Sequence, residues 1–444
     1  MRRFVSLLLL ALTTSVFAAA PPLHDGHGIH VETVEQIDAR QLAVHVSTDA
    51  LQHPVDIRIL LPGHYDTTPG RRYPVLYLFH GTSGRASDWV NLGDAAATTA
   101  TLPLIVVMPD AGFDGDGGGW FANWLNGGVG GQPMWETFHV EQVIPWIDDN
   151  LRTRTDARGR AIAGLSQGGF GALSYAARHP ELFTSVASFS GACVIDRDPQ
   201  AITLSTAIIQ FTTQALDGVA DPDAIFGPRA TEELNWQGHD PGTLVTNLRG
   251  MQIELWTGDG TPGPLDPTPV DPGASAIEMV TFTATMLFDG YLTEVGIRHG
   301  YHYYGGGTHI FPYWARDLRE YVGPLMKRFR HPPRRPRSVD YLSIDGSWAQ
   351  WGWQVDVARP MAAFSALSAA SRKGFSLSGT GVATVETPGV YRRGSRVRVV
   401  QQGSAGQSDD EATVDAGGHL QIQVPLSDDT TPGTTRVKIR PSGP

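Results

Sequence analysis

The chain has 444 residues, 41% hydrophobic and 18% charged, with a net charge of −11. That length exceeds one ordinary core, so two domains are expected, and the acidic balance argues against nucleic acid or an anionic membrane surface as a partner. A single cysteine, Cys193, excludes an internal disulfide and any C-x-x-C metal or redox pattern.

The chain opens with MRRFVSLLLLALTTSVFAAAPPL: a basic start, an apolar run over 4–12 and small residues at 18–20. This reads as a signal peptide over 1–20. The run is too short to span a bilayer comfortably, so a secreted, periplasmic or cell-envelope protein is expected rather than an integral membrane one. Residues 21–30 look like a loose leader, and His24, His27 and His30 are better read as a solvated tail than as a metal trio. Strand patterning follows in VETVEQID, QLAVHVS and VDIRILL. PVLYLFHG (74–81) and LPLIVVMPD (102–110) are continuous apolar runs, as parallel strands buried on both faces are. Residues 136–152 carry helical spacing at Phe138, Val143, Ile144 and Ile147. Further buried strands are expected at 183–191, 251–260 and 292–300, with helices at 275–289 and 311–330. Alternating strands and helices predict an α/β fold with a mainly parallel central sheet over 21–330.

Composition changes after residue 330. HPPRRPRS (331–338) reads as a stiff linker. Residues 339–444 are short alternating segments split by Gly, Pro, Asp and Ser, which predicts a small all-β, sandwich-like domain. Trp348, Trp351 and Trp353 are read there as core and interface residues before a carbohydrate platform.

The central stretch is RAIAGLSQGGFGALSYAARHP (160–180), an apolar strand, a G-x-S-x-G turn and a helix. A sharp strand-to-helix turn lifts the Ser166 hydroxyl clear of the sheet as a nucleophile, and the helix N-terminus favours negative charge beside it. A serine needs a base, and the base needs a carboxylate. In an α/β-hydrolase the chain order is serine, acid, histidine. Of the downstream histidines, His309 lies in the Gly-rich loop YYGGGTHIFPYW, where a base can return over the sheet edge. Reading His299, His302 and His309 as a metal trio fits no helix-borne zinc spacing. Asp259, Asp266, Asp271 and Glu278 all stand before His309, and spacing does not choose among them. Two oxyanion N–H groups are expected, from Gln167 and from Thr82 in the loop FHGTSG. Trp120 and Trp124, in the Gly-rich loop 113–133, are candidates to wall an acyl or aromatic group. Asp114 and Asp116 of that loop are read as loop residues before Ca²⁺ ligands.

YLFHGTSGRASDW, VVMPDAG, MWETF, GLSQGG, HPELFTSVASFSG, FGPRATEELNWQGHDP, LWTGDGTP and GTHIFPYW together resemble the esterase D family, closest to the branch holding the secreted mycolyltransferases of the antigen 85 group. The resemblance covers about residues 35–330, with WETF and GTH-x-x-x-YW its specific parts. It implies a serine α/β-hydrolase without a large lid. Such an enzyme acts on acyl esters or transfers acyl groups to sugars, and needs no metal or organic cofactor. It also implies Glu278 as the acid, on the helix after GTP, with Asp259 second. The chain departs from that branch at His80, where an acidic residue is usual, and at Thr82–Ser83. The arginine that engages sugar there has only Arg85 as a counterpart. Expected activities are ester hydrolysis through an acyl-serine, then acyl transfer to a sugar or glycerol hydroxyl. A third reading, from another class, is a non-catalytic surface or carbohydrate-binding protein. The expected partner is a small-molecule, lipid or sugar ester, with cell-envelope contact through the C-terminal domain.

Overall fold

In the computed structural model, residues 21–113, 116–126, 133–403, 406–427 and 431–441 are described. Residues 1–20, read above as a signal peptide, and Asp114 lie outside them. Nine strands form the first sheet: β1 (Ile29–Gln36), β2 (Gln41–Thr48), β3 (Val55–Leu60), β4 (Val75–Phe79), β5 (Ile105–Pro109), β6 (Arg160–Leu165), β7 (Ser185–Phe189), β8 (Gln252–Thr257) and β9 (Gly300–Tyr303). Their order is β1-β2-β3-β5-β4-β6-β7-β8-β9. The β1–β3 meander is antiparallel to its neighbours, while β5, β4, β6, β7, β8 and β9 run parallel.

Among the described residues eight α-helices flank this sheet: α1 (Asp88–Asn91), α2 (Ala95–Thr98), α3 (Ile144–Asn150), α4 (Gln167–Arg178), α5 (Pro199–Phe211), α6 (Arg229–His239), α7 (Pro272–Glu294) and α8 (Phe311–Arg330). Alternate residues of one strand serve opposite layers. Val75, Tyr77 and Phe79 of β4 join a core with α3, α4 and α7, whereas Leu76 and Leu78 join one with α1, α2 and α8. Burial on both faces explains why these strands read as unbroken apolar runs.

Three sequence expectations change. The strand expected at 292–300 is β9 at Gly300–Tyr303, because α7 continues to Glu294. Leu292 packs in the helix core with Phe288, one turn earlier, and Gly296 at φ 69° ends the run. The leader is docked rather than loose: the His24 carbonyl accepts from Trp146 Nε1 at 2.7 Å, and His27 meets Asp149 at 2.7 Å. The helix expected at 136–152 starts as a π-helical stretch, Thr137–Val143, before α3. Residues 199–239, where the pattern names no element, hold α5 and α6.

Beyond α8, ten strands of the described residues build two antiparallel sheets. The six-stranded one is β10 (Val339–Ser343), β13 (Ser365–Ser371), β14 (Gly374–Gly379), β19 (Gly433–Pro441), β16 (Arg396–Gly403) and β17 (Gly406–Thr413), in that spatial order. The four-stranded one is β11 (Ser347–Gln350), β12 (Trp353–Ala358), β15 (Gly381–Glu386) and β18 (Gln421–Ser427). One apolar core joins the sheets, and Trp348 and Trp353 are buried in it, with Trp351 packed against it. This unit grips the C-terminal end of α4. Tyr341 Oη and Gln350 Nε2 both donate to the Arg178 carbonyl, at 2.6 and 3.0 Å. A helix leaves its last carbonyls without intrahelical partners, and here a neighbouring sheet supplies one.

Candidate active site

β6 carries no polar side chain after Arg160, so the strand is driven to the middle of the sheet and delivers Ser166 at its C-terminal edge. Ser166 sits at φ 52°, ψ −123°, a conformation L-residues rarely adopt. Close packing imposes it: a Cβ on Gly168 would overlap the His80 carbonyl. The oxyanion-side loop approaches just as closely, since a Cβ on Gly81 would come 2.9 Å from Ser166 Cβ. Gln167 is the first residue of α4, so its N–H lacks an intrahelical acceptor. Its side chain donates from Nε2 to Thr82 Oγ1 at 3.2 Å and to the Gly117 carbonyl at 2.9 Å. The two residues expected to supply oxyanion N–H groups are thus tied together.

The loop from His80 to Ala86 is anchored at both ends. His80 Nδ1–H donates to the Gly81 carbonyl at 2.8 Å, and its Nε2 accepts from Ala111 N–H at 2.9 Å. Those partners fix the neutral tautomer, and burial lowers the pKa in the same sense. Asp110 accepts from Ala86 N–H at 2.5 Å and from Asp56 N–H at 2.8 Å. Burial pushes its carboxyl up to about 7. Arg85 is exposed on this loop, its N–H bonded to Asp88.

Glu278 and His309 meet: Nδ1 lies 2.7 Å from Oε2 of a fully buried Glu278. Glu278 Oε1 accepts from Ser190 Oγ at 2.8 Å, Gly258 N–H at 2.8 Å and Thr257 Oγ1 at 3.3 Å. A carboxylate engaged this way accepts only, so Nδ1 carries the proton that bonds it. The other ring nitrogen, Nε2, is buried and has no partner among the described residues. Trp314 stands edge-on to the His309 ring, centroids 4.8 Å apart. Ser190 follows β7 and Gly258 follows β8, the next strands along from β6, so the pair lies over the same sheet edge as Ser166. No hydrogen bond joins Ser166 Oγ to His309, a contact that commonly tightens only when substrate binds.

The other acids are spent elsewhere. Asp259 accepts from Thr261 N–H and Tyr303 Oη, Asp266 from Gly263 N–H and Tyr313 Oη, and Asp271 caps α7 through Gly273 N–H. His299 pairs with Asp289, and His302 with Glu254. Among the described residues no group of three or more His, Cys, Asp or Glu is placed to hold a metal.

Trp120 is buried, donates to Thr212 Oγ1 at 3.0 Å and lines a narrow apolar cleft of about 30 Å³. Ala192, Ile208 of α5 and Val280 and Leu287 of α7 complete its walls. Ala192 N–H donates to the Ser166 carbonyl at 3.4 Å, so this cleft opens beside the serine turn. Trp124 does not line it: it is buried, with Nε1 donating to the Gly119 carbonyl at 3.1 Å. Ser190 and Trp314 stand inside HPELFTSVASFSG and GTH-x-x-x-YW, but those stretches assign them no role, and the α5 wall carries no motif.

Comparison with known proteins gives a consistent answer. The family model described as "Putative esterase" matches residues 48–325. The chain is 34% identical over 295 residues to Esterase Rv1288 of Mycobacterium tuberculosis, covering 65% of this chain and 59% of that one. It therefore spans under two thirds of that relative. It is 28% identical over 274 residues to the diacylglycerol acyltransferase/mycolyltransferase Ag85A of Mycobacterium leprae, covering 57% and 77% of the two chains. The crystal structure of Mycobacterium tuberculosis MPT51 superposes with a TM-score of 0.52 at 23% identity, over 66% of this chain and all of that one. That likeness shows the α/β-hydrolase fold.

Proposed function

The chain belongs to this esterase family, and from that premise we propose that it is an exported serine esterase cleaving carboxylic esters through an acyl-serine. Ser166 Oγ attacks the ester carbonyl as His309 Nε2 takes its proton. Glu278 holds the Nδ1–H and stabilises the imidazolium that forms. The N–H groups of Gln167 and Thr82 receive the oxyanion. His309 returns the proton to the leaving alkoxide, the alcohol departs, and water enters by the reverse steps to release the acid. The observation that carries this reading is the buried Glu278–His309 pair, with a proton on Nδ1 and an unpartnered Nε2. The apolar cleft beside Ser166 is suited to the acyl chain, and Trp120 forms one wall. Trp120→Ala should then shift preference toward longer p-nitrophenyl esters, while Trp124→Phe should not; equal shifts would remove Trp120 from the acyl site.

The direct test is hydrolysis of short p-nitrophenyl esters together with labelling by a fluorophosphonate. Failure of the purified chain in both would refute the esterase reading and favour a binding protein on a hydrolase fold. A second reading keeps the acyl-enzyme and delivers the acyl group to a sugar or glycerol hydroxyl. It is favoured by the relatives named as acyltransferases, and Arg85, exposed on the oxyanion loop, is the candidate to meet that acceptor. Added acceptor alcohol should give transfer product at the expense of free acid; water winning throughout would dispose of it. Export rests on the basic-then-apolar start of the chain and is tested by fractionating cells that express it. No helix among the described residues is long and apolar enough to cross a membrane. The C-terminal sheets are proposed as a separate domain that contacts the cell envelope.

A further inference from the structure

The opposite edge of the first sheet carries a groove of about 500 Å³, beside the first residues of β8 and β9. The six residues of β8 separate it by roughly 20 Å from the edge where Ser166 lies. Arg249, Arg298 and Arg328 line it, with Gln252, Glu254 and His299 between them.

Three guanidinium groups in one groove stand out on a chain of net charge −11. Among the described residues none of them pairs with a carboxylate. Arg249 donates to the Val295 carbonyl at 3.0 Å. Arg298 is exposed and makes no hydrogen bond to the described residues. Arg328 is half-buried, and its Nε donates to Thr184 O and Oγ1 at 3.1 and 2.9 Å and one Nη to the Gly250 carbonyl. All its partners are neutral. The nearby acids are already used: Glu254 accepts from Gln252 Nε2 and His302 Nε2, and Asp289 from His299. Gln252 Oε1 is buried with no donor among the described residues.

A cation taken partly out of water without a counter-ion is costly, as is a buried acceptor without a donor. Both deficits border the same groove, and both are met by one kind of molecule. We propose that this groove binds a small anionic ligand, a phosphate or carboxylate held by Arg249, Arg298 and the remaining Nη of Arg328, with a ligand hydroxyl donating to Gln252 Oε1. The planar fork of arginine matches either anion through paired N–H donors. The proposal does not rest on the esterase reading.

Calorimetric titration of the full chain at low salt tests it, with glycerol 3-phosphate, inorganic phosphate and malate as probes and glycerol as the neutral control. Saturable one-to-one binding of an anionic probe is expected, with none for glycerol; the tighter of glycerol 3-phosphate and malate names the anion. Arg249→Gln with Arg298→Gln should weaken that binding by about tenfold or more and leave p-nitrophenyl ester turnover unchanged. Arg328→Lys, which keeps the charge and loses the fork, should weaken it by less. Absence of saturable binding for every anionic probe, or binding that survives the double variant intact, would overturn the proposal.

Discussion

At its N-terminal end, α4 starts from a serine forced to φ 52°, with Gln167 N–H at a helix position that has no intrahelical acceptor and with His309 Nε2 over the same edge, unpartnered among the described residues. At its C-terminal end, Arg178 lies in a buried ionic cluster. Its Nε meets Glu136 at 2.8 Å, Glu136 also takes His179 Nε2 at 2.7 Å, and Arg178 reaches Asp345 of the C-terminal unit at 3.3 Å. The Arg178 carbonyl has two donors of its own. One helix therefore holds a strained serine and an unpartnered base nitrogen at one end, and at the other an Arg178 whose carbonyl and guanidinium nitrogens all have partners. A nucleophile and a base nitrogen are what acyl transfer needs, so the first end is expected to do chemistry, and the other is expected to hold the helix still.

Removing groups at the open end should therefore cost activity and little stability. Ser166→Ala should lower kcat/KM for a p-nitrophenyl ester by more than about 10³-fold, with thermal unfolding unchanged or raised as the strained turn keeps its shape. Full activity in that variant would end the mechanism. Glu278→Gln should cost about 10²- to 10⁴-fold in kcat, because an amide can present N–H to His309 and permit the wrong tautomer. Its KM should move little. A loss confined to KM would show that Glu278 shapes binding rather than the base.

How far sequence reaches differs between the two ends for a physical reason. Ser166 stands out because a strand, a glycine turn and a helix must follow each other to hold it, and each step leaves its residue types in order. His309 follows from chain order and a Gly-rich loop. Glu278 is hidden, because α7 reverses ordinary amphipathy: Ile277 and Met279 are 50% and 59% exposed while Glu278 is 0%. A polarity pattern would turn that helix the other way, and only the family resemblance pointed to Glu278. The same logic misplaces the strand at 292–300, where Leu292 and Ile297 belong to a helix end and its turn. α5 leaves little pattern because it buries only Ala201, Ser205 and Ile209. The cluster around Arg178 unites residues from 136 to 345, and no local period reports contacts that distant. The all-β unit was legible because alternation with period two is local.

The closed end should fail in the opposite currency. Glu136→Gln leaves Arg178 buried without its nearest counter-ion, and breaking a buried pair typically costs about 3–5 kcal/mol of stability. The kcat per folded molecule should stay within about twofold of the parent, a difference under 0.5 kcal/mol. The pH dependence has a definite sign. Burial works against the Glu136 carboxylate, but Arg178, with His179 and His239, holds it well below its usual range. A depressed carboxyl contributes stability above its unfolded pKa and loses it as pH falls toward the folded one. The parent should therefore lose stability on acidification below about pH 4 more steeply than Glu136→Gln. Parallel curves would remove Glu136 as the source, and a large fall in kcat with stability intact would erase the contrast between the two ends.

The smallest change tests whether the C-terminal unit holds α4 through this contact at all. Tyr341→Phe deletes the 2.6 Å hydrogen bond to the Arg178 carbonyl and keeps the ring, which packs on Trp348 with centroids 4.9 Å apart. Gln350 Nε2 still donates to the same oxygen, so no acceptor is stranded, and the cost should stay near that of one net hydrogen bond, about 1 kcal/mol. In a chain of this size that is a fall in Tm of about 2 °C. Adding Gln350→Leu strands the carbonyl, so the pair should cost more than the sum of the singles. A strictly additive pair would mean that water reaches the Arg178 carbonyl and that the C-terminal unit shields α4 without gripping it.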